Sequence, residues 1–237
     1  MISGLLKSFL NCADSLIVGD ILLICGIEEA GRGPVIGPMV ICGVLIEKDK
    51  EKELKELGVK DSKLLTPKQR EELFPKIEKN AKDFKVIIVS PKEIDKAIGS
   101  DLSNLNWLEA DKFVEIINSL SPDIAYIDCP SNNTKAYKEY IAERIKNKDT
   151  KLVVENKADQ SYLVVGAASI LAKVTRDREI EKIKRKYKIE FGSGYPSDPF
   201  TKQFLEKNHN KYPIFRESWV SWKNIAKKKG QKKLSQF

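Results

Sequence analysis

Glu28 and Glu29 stand side by side after the apolar run 21–27 and lead directly into Ala30-Gly-Arg-Gly-Pro-Val-Ile-Gly37. Two adjacent acids at a strand end, followed by a glycine loop carrying one arginine, suit a site that holds a divalent metal beside a phosphate. The bland alternative is a solvated turn after a buried strand. Two more acids count against it: Asp128 closes the strand-like stretch 124–127, and Asp159 opens a long helical stretch after Asn156-Lys-Ala158. In α/β sheets, residues at the carboxyl ends of strands converge on one crevice. Oxygen-only ligands favour Mg²⁺ or Mn²⁺, and four clustered carboxylates carry too much negative charge to persist without cations or protons. Two ions about 4 Å apart can activate a water and stabilise the leaving oxygen of a phosphodiester, with no histidine or nucleophilic side chain. One geometric objection stands. Neighbouring strand residues face opposite sides, so Glu28 and Glu29 reach one site only if the strand twists or ends there, and Gly31 supplies such an ending.

Gly31-Arg32-Gly33 is no nucleotide fingerprint, because Ile36 occupies the third glycine position and no Gly-Lys-Ser/Thr ending follows. Its amides can still approach a sugar or phosphate closely, since glycine has no Cβ to obstruct them.

The elements that must position these groups follow from periodicity. Residues 21–27 and 39–46 read as two strands joined by the glycine loop, 84–89 as a third, 124–127 as a fourth and 151–155 as a fifth. Thr66-Pro67 caps a helix over 69–79 that Pro75 should kink or split. Residues 104–120 form a second helix, with Leu105, Leu108, Phe113, Ile116, Ile117 and Leu120 for its buried side, and 135–146 a further one. The longest candidate is 162–187, with small residues Gly166 to Ser169 and Ala172 packing closely near its start and a charged, exposed stretch from Arg176 to Lys188. Past the loop 192–199, residues 200–208 and 219–229 read as helices. The sum is an α/β catalytic domain over 21–190 with a small helical C-terminal region over 191–230; residues 1–20 are expected to form a flexible extension.

At 237 residues the chain can bury a full core. Its formal net charge is +8, concentrated in Lys223, Lys227, Lys228, Lys229, Lys232 and Lys233. A basic tail on a near-neutral body fits loose phosphate contact, with a solvated helix end as the alternative. Cys12, Cys25, Cys42 and Cys129 form no C-x-x-C pair, and the lone His209 argues against histidine-rich zinc sites and histidine triads. No apolar stretch reaches the length of a membrane span, and the chain reads as cytoplasmic.

Taken together, the motifs resemble type 2 ribonuclease H of the archaeal kind. The resemblance covers nearly all of 21–222: Gly26-Ile-Glu-Glu-Ala-Gly-Arg-Gly-Pro-Val, Val59-Lys-Asp-Ser-Lys63, Tyr126-Ile-Asp-Cys-Pro130, Asn156-Lys-Ala-Asp159, the stretch from Ala167 to Asp177, and Gly194-Tyr-Pro-Ser-Asp198. It implies a ribonuclease H-like fold, a mixed central sheet flanked by helices. It also implies a nuclease of ribonucleotide repair and primer removal, which cuts the RNA strand of RNA/DNA hybrids. The same enzyme would incise 5′ of a single ribonucleotide embedded in duplex DNA, leaving 3′-hydroxyl and 5′-phosphate ends. By the resemblance, Glu28, Glu29, Asp128 and Asp159 would be the metal-site carboxylates. The backbone of Gly31, Arg32 and Gly33 would grip the ribonucleotide, and Tyr195 would read its 2′-hydroxyl side while packing on the next sugar. Lys63, Lys173 and Arg176 would contact phosphate or support the site.

The chain departs from the family where aspartate normally precedes Glu29, since Glu28 stands there. One extra methylene moves a carboxylate by roughly an ångström, in a site whose geometry must hold to about half that. A hybrid-binding protein with impaired catalysis is therefore the alternative. A type 3 ribonuclease H is a third reading, which residues 1–20 are too few to support. The chain ends Gln231-Lys-Lys-Leu-Ser-Gln-Phe237 after Gly230, a helix stop. This resembles the peptide by which repair enzymes hook a sliding clamp, with Leu234 and Phe237 entering an apolar pocket and Gln231 a polar one; a plain lysine-rich tail is its alternative. A monomer is expected.

Overall fold

The computed structural model describes residues 21–59 and 62–234, with side chains to Lys228. Residues 1–20, Lys60, Asp61 and Phe237 lie outside the described residues, as do the side chains of Gln231 and Leu234. Five strands form one sheet: β1 (Leu23–Ala30), β2 (Met39–Glu47), β3 (Asp83–Val89), β4 (Ile124–Asp128) and β5 (Lys151–Glu155). Their order is β3-β2-β1-β4-β5, with β2 antiparallel to both β1 and β3, and β4 parallel to its neighbours β1 and β5. This mixed sheet is the expected one, and both faces are covered by helices, which is why β2 reads as a nearly unbroken apolar run.

In chain order the helices are α1 (Glu51–Glu56), α2 (Pro67–Asn80), α3 (Pro91–Ile98), α4 (Leu105–Leu120), α5 (Thr134–Arg144), α6 (Ala158–Ser161), α7 (Leu163–Tyr187), α8 (Pro199–Asn208) and α9 (Val220–Leu234). One face of the sheet, carrying Ile24, Ala30 and Cys42, packs on α7 and α2; the other, carrying Cys25, Ile27 and Ile41, packs on α4 and α5. A third apolar cluster joins Val35 and Ile36 to the end of α7 and to α8 and α9.

Several expectations need correction. The acidic pair does not follow β1 but lies within it, because pairing with β2 continues through Glu28, Glu29 and Ala30. Asp159 does not open the long helix; it sits in the short α6, separated from α7 by an extended Tyr162. Pro75 does not split α2: one helix runs through it, held at its start by a reciprocal cap between Thr66 and Gln69. Gly230 does not stop α9, which continues to Leu234. Arg176 is buried rather than exposed, since the charged half of α7 turns one face toward the glycine loop. The helices α1 and α3 were not foreseen; each is under three turns, too short for a clear helical period.

Gly26 sets the distance between β1 and α7. A Cβ at this position would overlap the backbone of Val164 and Val165, so only glycine lets the strand carrying Glu28 approach the start of the helix. Backbone cannot step aside as a side chain can. Gly26→Ala is expected to destabilise the fold by about 3 kcal/mol. Urea unfolding measures it, and a loss under about 1 kcal/mol would show that the contact is slack.

Candidate metal-dependent active site

The β1–β4 ladder ends at Ile27 paired with Ile127. Glu28 and Asp128 are the next residues in register, so they emerge together on the α7 face where the two strands part. The loop after β5 brings in the third acid. Lys157 adopts the left-handed conformation at φ 59°, and the Ala158 amide donates to Asp128 Oδ1 at 3.1 Å, which places Asp159 beside the strand ends. Asn156 fixes the same loop by donating to the carbonyls of Cys129 (2.6 Å) and Ser131 (3.0 Å). As a result Glu28, Asp128 and Asp159 each offer a carboxylate oxygen within 4.8 Å of the others.

Glu29 is not part of that trio. Its strand position starts it on the α4 side, where its charge acts on the buried Glu109, yet its carboxyl is in hydrogen-bond contact with that of Glu28 and it lines the same cleft. Strand alternation therefore starts the two acids on opposite faces, yet their carboxyl groups meet at the open end of the sheet.

Burial first, then repulsion from Glu29 and Asp128, pushes the Glu28 carboxyl well above the ordinary glutamate range. Burial also pushes Glu29 up, and burial with the nearby Glu29 charge raises Glu109. One Glu28 oxygen accepts from the Glu29 amide at 2.9 Å, whereas Glu28 Oε2 and Asp159 Oδ1 are buried without a hydrogen-bond partner. Two orphaned carboxylate oxygens, with Asp128 beside them from a third chain segment, fit a hard divalent cation.

The cleft has a volume of about 320 Å³ and is lined by Glu28, Glu29, Asp128, the backbone stretch 30–33, Lys63, Lys173 and Tyr195 among others. Lys63 reaches Asp159 at 3.2 Å from a segment riveted by the Ser62–Ser169 hydroxyl contact and by Arg70, which donates to the carbonyls of Ser62 and Leu65. Lys173 pairs with Asp177 at 2.6 Å. Arg176 is behind the wall: Nη2 donates to the Ser193 carbonyl at 3.0 Å, and the guanidinium lies 5.6 Å from the Tyr195 ring centre. It supports Tyr195 rather than facing the cleft. The Tyr195 loop is braced from below by Asp198, whose carboxylate accepts from Ser193 and Phe200 and is held down to about 2 chiefly by the Ser193 amide.

Four contributors escaped the sequence reading. The Arg32 side chain turns away from the cleft to Glu109 (3.2 Å) and Asn106 (2.7 Å). Glu109 had a readable signal, an acid on the apolar stripe of α4. Arg70 had none, and Arg216 and Trp219 act on residues some 180 positions away. Burial, then the Arg176 charge, lowers Arg216 to about 9, which leaves it protonated at neutral pH.

A mixed sheet with carboxylates gathered at the ends of its central strands, and no histidine among them, defines a ribonuclease H-like, metal-dependent nuclease. The ribonuclease HII family model matches residues 25–224, and the chain belongs to that family. It is accordingly an endoribonuclease, and the family activity is hydrolysis of the RNA strand of RNA/DNA hybrids. Ribonuclease HII of Pyrococcus abyssi is 50% identical over 211 residues, covering 86% of this chain and 92% of the relative. The crystal structure of ribonuclease H2 from Pyrococcus horikoshii OT3 superposes with a TM-score of 0.79 at 45% identity, covering 87% of this chain and 98% of that one. A solved PCNA:RNase HII complex from Archaeoglobus fulgidus gives a TM-score of 0.76 at 40% identity, covering 84% and 95%. Among the described residues no helix is long and apolar enough to cross a membrane.

The raised Glu28 carboxyl has a consequence for stability. The folded chain binds this proton more tightly than the unfolded one, so metal-free stability falls as pH rises above about 4.5. Glu28→Gln removes the buried charge and is expected to raise the metal-free melting temperature at pH 8 by about 4 °C, with little change at pH 4. Thermal scans in chelator at both pH values check this; an equal shift at both would refute the charge argument.

Proposed function

We propose that this chain incises duplex DNA on the 5′ side of a single embedded ribonucleotide, as well as cutting longer hybrids, and leaves 3′-hydroxyl and 5′-phosphate ends. The observation that carries this reading is the junction of two unlike surfaces in one cleft: a carboxylate cluster suited to metal, and beside it the Gly31–Gly33 backbone facing Tyr195. A Cβ on Gly33 would touch the Tyr195 ring at 3.4 Å, so glycine leaves the loop backbone uncovered beside that ring. A close backbone and an aromatic edge sense a 2′-hydroxyl without reading base sequence.

Glu28, Asp128 and Asp159 would hold Mg²⁺ or Mn²⁺, with Glu29 completing the set from the other sheet face once substrate bridges the cleft. When bound, such ions supply an activated water and stabilise the charge developing on the leaving oxygen. The chain's own groups do the rest. Lys63, anchored on Asp159, and Lys173, anchored on Asp177, present ammonium groups at the cleft wall to the phosphate. Gly31 to Gly33 and Tyr195 fix the ribose, and so place one phosphodiester over the carboxylates. The leaving 3′-oxygen takes up a proton and departs as a hydroxyl. The C-terminal segment with Gln231, Leu234 and Phe237 would hook a sliding clamp, a reading supported by the related archaeal complex with PCNA. We place the chain in the cytoplasm, acting as a monomer in DNA replication and repair.

A second reading rests on one contact. Glu28 folds back onto the Glu29 amide, which occupies an oxygen that a shorter aspartate would leave directed elsewhere. If that contact persists with metal, the protein binds hybrids and cuts them poorly.

The deciding assay is cleavage of a labelled duplex carrying one ribonucleotide, with Mg²⁺, Mn²⁺ or chelator, beside Glu28→Asp, Asp128→Asn and Asp159→Asn. A metal-dependent nick 5′ to the ribonucleotide is expected, with the two asparagine variants slower by at least about 10³-fold. Near-normal turnover by either would break the carboxylate assignment, and activity appearing only in Glu28→Asp would establish the binding-protein reading. Deleting residues 231–237 is expected to abolish pull-down by the clamp while clamp-free cleavage stays within about twofold. Unchanged pull-down would remove the tail from the proposal.

A further inference from the structure

The segment 214–219, between α8 and α9, lies behind the glycine loop and is bonded to it by two backbone hydrogen bonds and two side chains. Ile214 accepts from the Gly37 amide at 2.8 Å, the Arg216 amide donates to Val35 at 2.9 Å, and Ile36 bridges Phe215 in antiparallel fashion. From this strap the Arg216 side chain, with no exposed surface, enters the concave side of the loop. Its guanidinium donates to three carbonyls: Gly31 at 2.6 Å, Arg32 at 2.7 Å and Gly37 at 3.0 Å. Trp219 stacks 4.8 Å from that guanidinium and donates Nε1–H to the Gly33 carbonyl at 3.0 Å. The strap is itself pinned from α3, where Asp95 accepts from the amides of Glu217 and Ser218.

The direction of these bonds is what matters. In a planar trans peptide the carbonyl of one residue and the amide of the next point opposite ways. Drawing the Gly31 and Arg32 carbonyls toward Arg216 therefore turns the Arg32 and Gly33 amides away from it, toward the cleft that these residues line. Among the described residues neither amide donates to another backbone group. A five-donor planar fork suits this task, because it meets several carbonyls in fixed relative positions, which an ammonium cannot do.

We propose that Arg216 and Trp219 are positioning residues for ribonucleotide recognition: they touch no substrate, but hold the loop carbonyls inward and so present two backbone amides to the ribose. This rests on the ribonucleotide-incision reading above. Both are remote in sequence from the loop they shape, and neither belongs to the carboxylate cluster.

The test compares Arg216→Lys and Trp219→Phe with wild type, in steady-state cleavage of a duplex carrying one ribonucleotide, alongside melting temperature. Trp219→Phe keeps the stacked ring and loses only the bond to Gly33. Its KM is expected to rise about fivefold with kcat within about twofold, and Arg216→Lys to raise KM by tenfold or more. Phe204→Leu, which loosens the same C-terminal apolar cluster but removes no hydrogen bond to the loop, controls for general destabilisation; it is expected to lower the melting temperature and leave KM unchanged. An unchanged KM in Trp219→Phe, or an equal rise in Phe204→Leu, would overturn the positioning role while the activity reading stands. Failure of the wild type itself to incise would overturn that reading and this inference with it.

Discussion

Like-charge repulsion among buried carboxylates is the constraint around which the molecule is arranged. Bringing Glu28, Asp128 and Asp159 within 4.8 Å of one another costs free energy for as long as all three are charged. The fold meets the cost by taking the three from separate anchored pieces: β1 just past its pairing with β4, the end of β4 and a short helix. Each anchor lies outside the cluster. Gly26 admits α7 against β1, Asn156 ties the β5 loop to the β4 loop, and the Ala158 amide is bonded directly to Asp128. A site assembled this way keeps its geometry when the acids repel, and is left with carboxylate oxygens that only a cation or a proton satisfies.

The fourth acid, Glu29, touches Glu28 but also extends the buried negative charge toward α4. Glu29 and Glu109 form a second buried acidic environment on the α4 face, and Arg32 answers it with a direct ion pair to Glu109. The one cation in the glycine loop is thus spent on structure, and the loop is left to act through its backbone. The proposed function gives phosphate contact instead to Lys63 and Lys173, which pair with Asp159 and Asp177 at the cleft wall.

Much of this was legible in the chain. The five strands and most of the long helices follow from apolar periodicity, and the four acids stand out because each interrupts or ends such a run. What was not legible depends on contacts distant in sequence. The extension of β1 through Glu29 is decided by β2, which goes on pairing after β4 has stopped, and no local signal in residues 28–30 reports that. Arg176 carries the sequence signature of a solvated helix face, yet lies between two loops that need a planar cation between them. Gly230 carries that of a helix stop, but α9 runs through it, since a single glycine costs a helix only about 1 kcal/mol.

The misses that involve arginine share a cause. Arginine is read from sequence as surface charge, whereas Arg70, Arg176 and Arg216 all spend guanidinium donors on main-chain carbonyls inside the protein. Irregular loops leave carbonyls that no helix or sheet satisfies, and burying them unpaired would cost about 1–3 kcal/mol apiece. A site built from loops beside a sheet end therefore needs internal donors, and the guanidinium provides the most donors per side chain. That the loops facing the cleft are each backed by such an arginine indicates that their backbone conformation, more than their side chains, is the feature the fold protects.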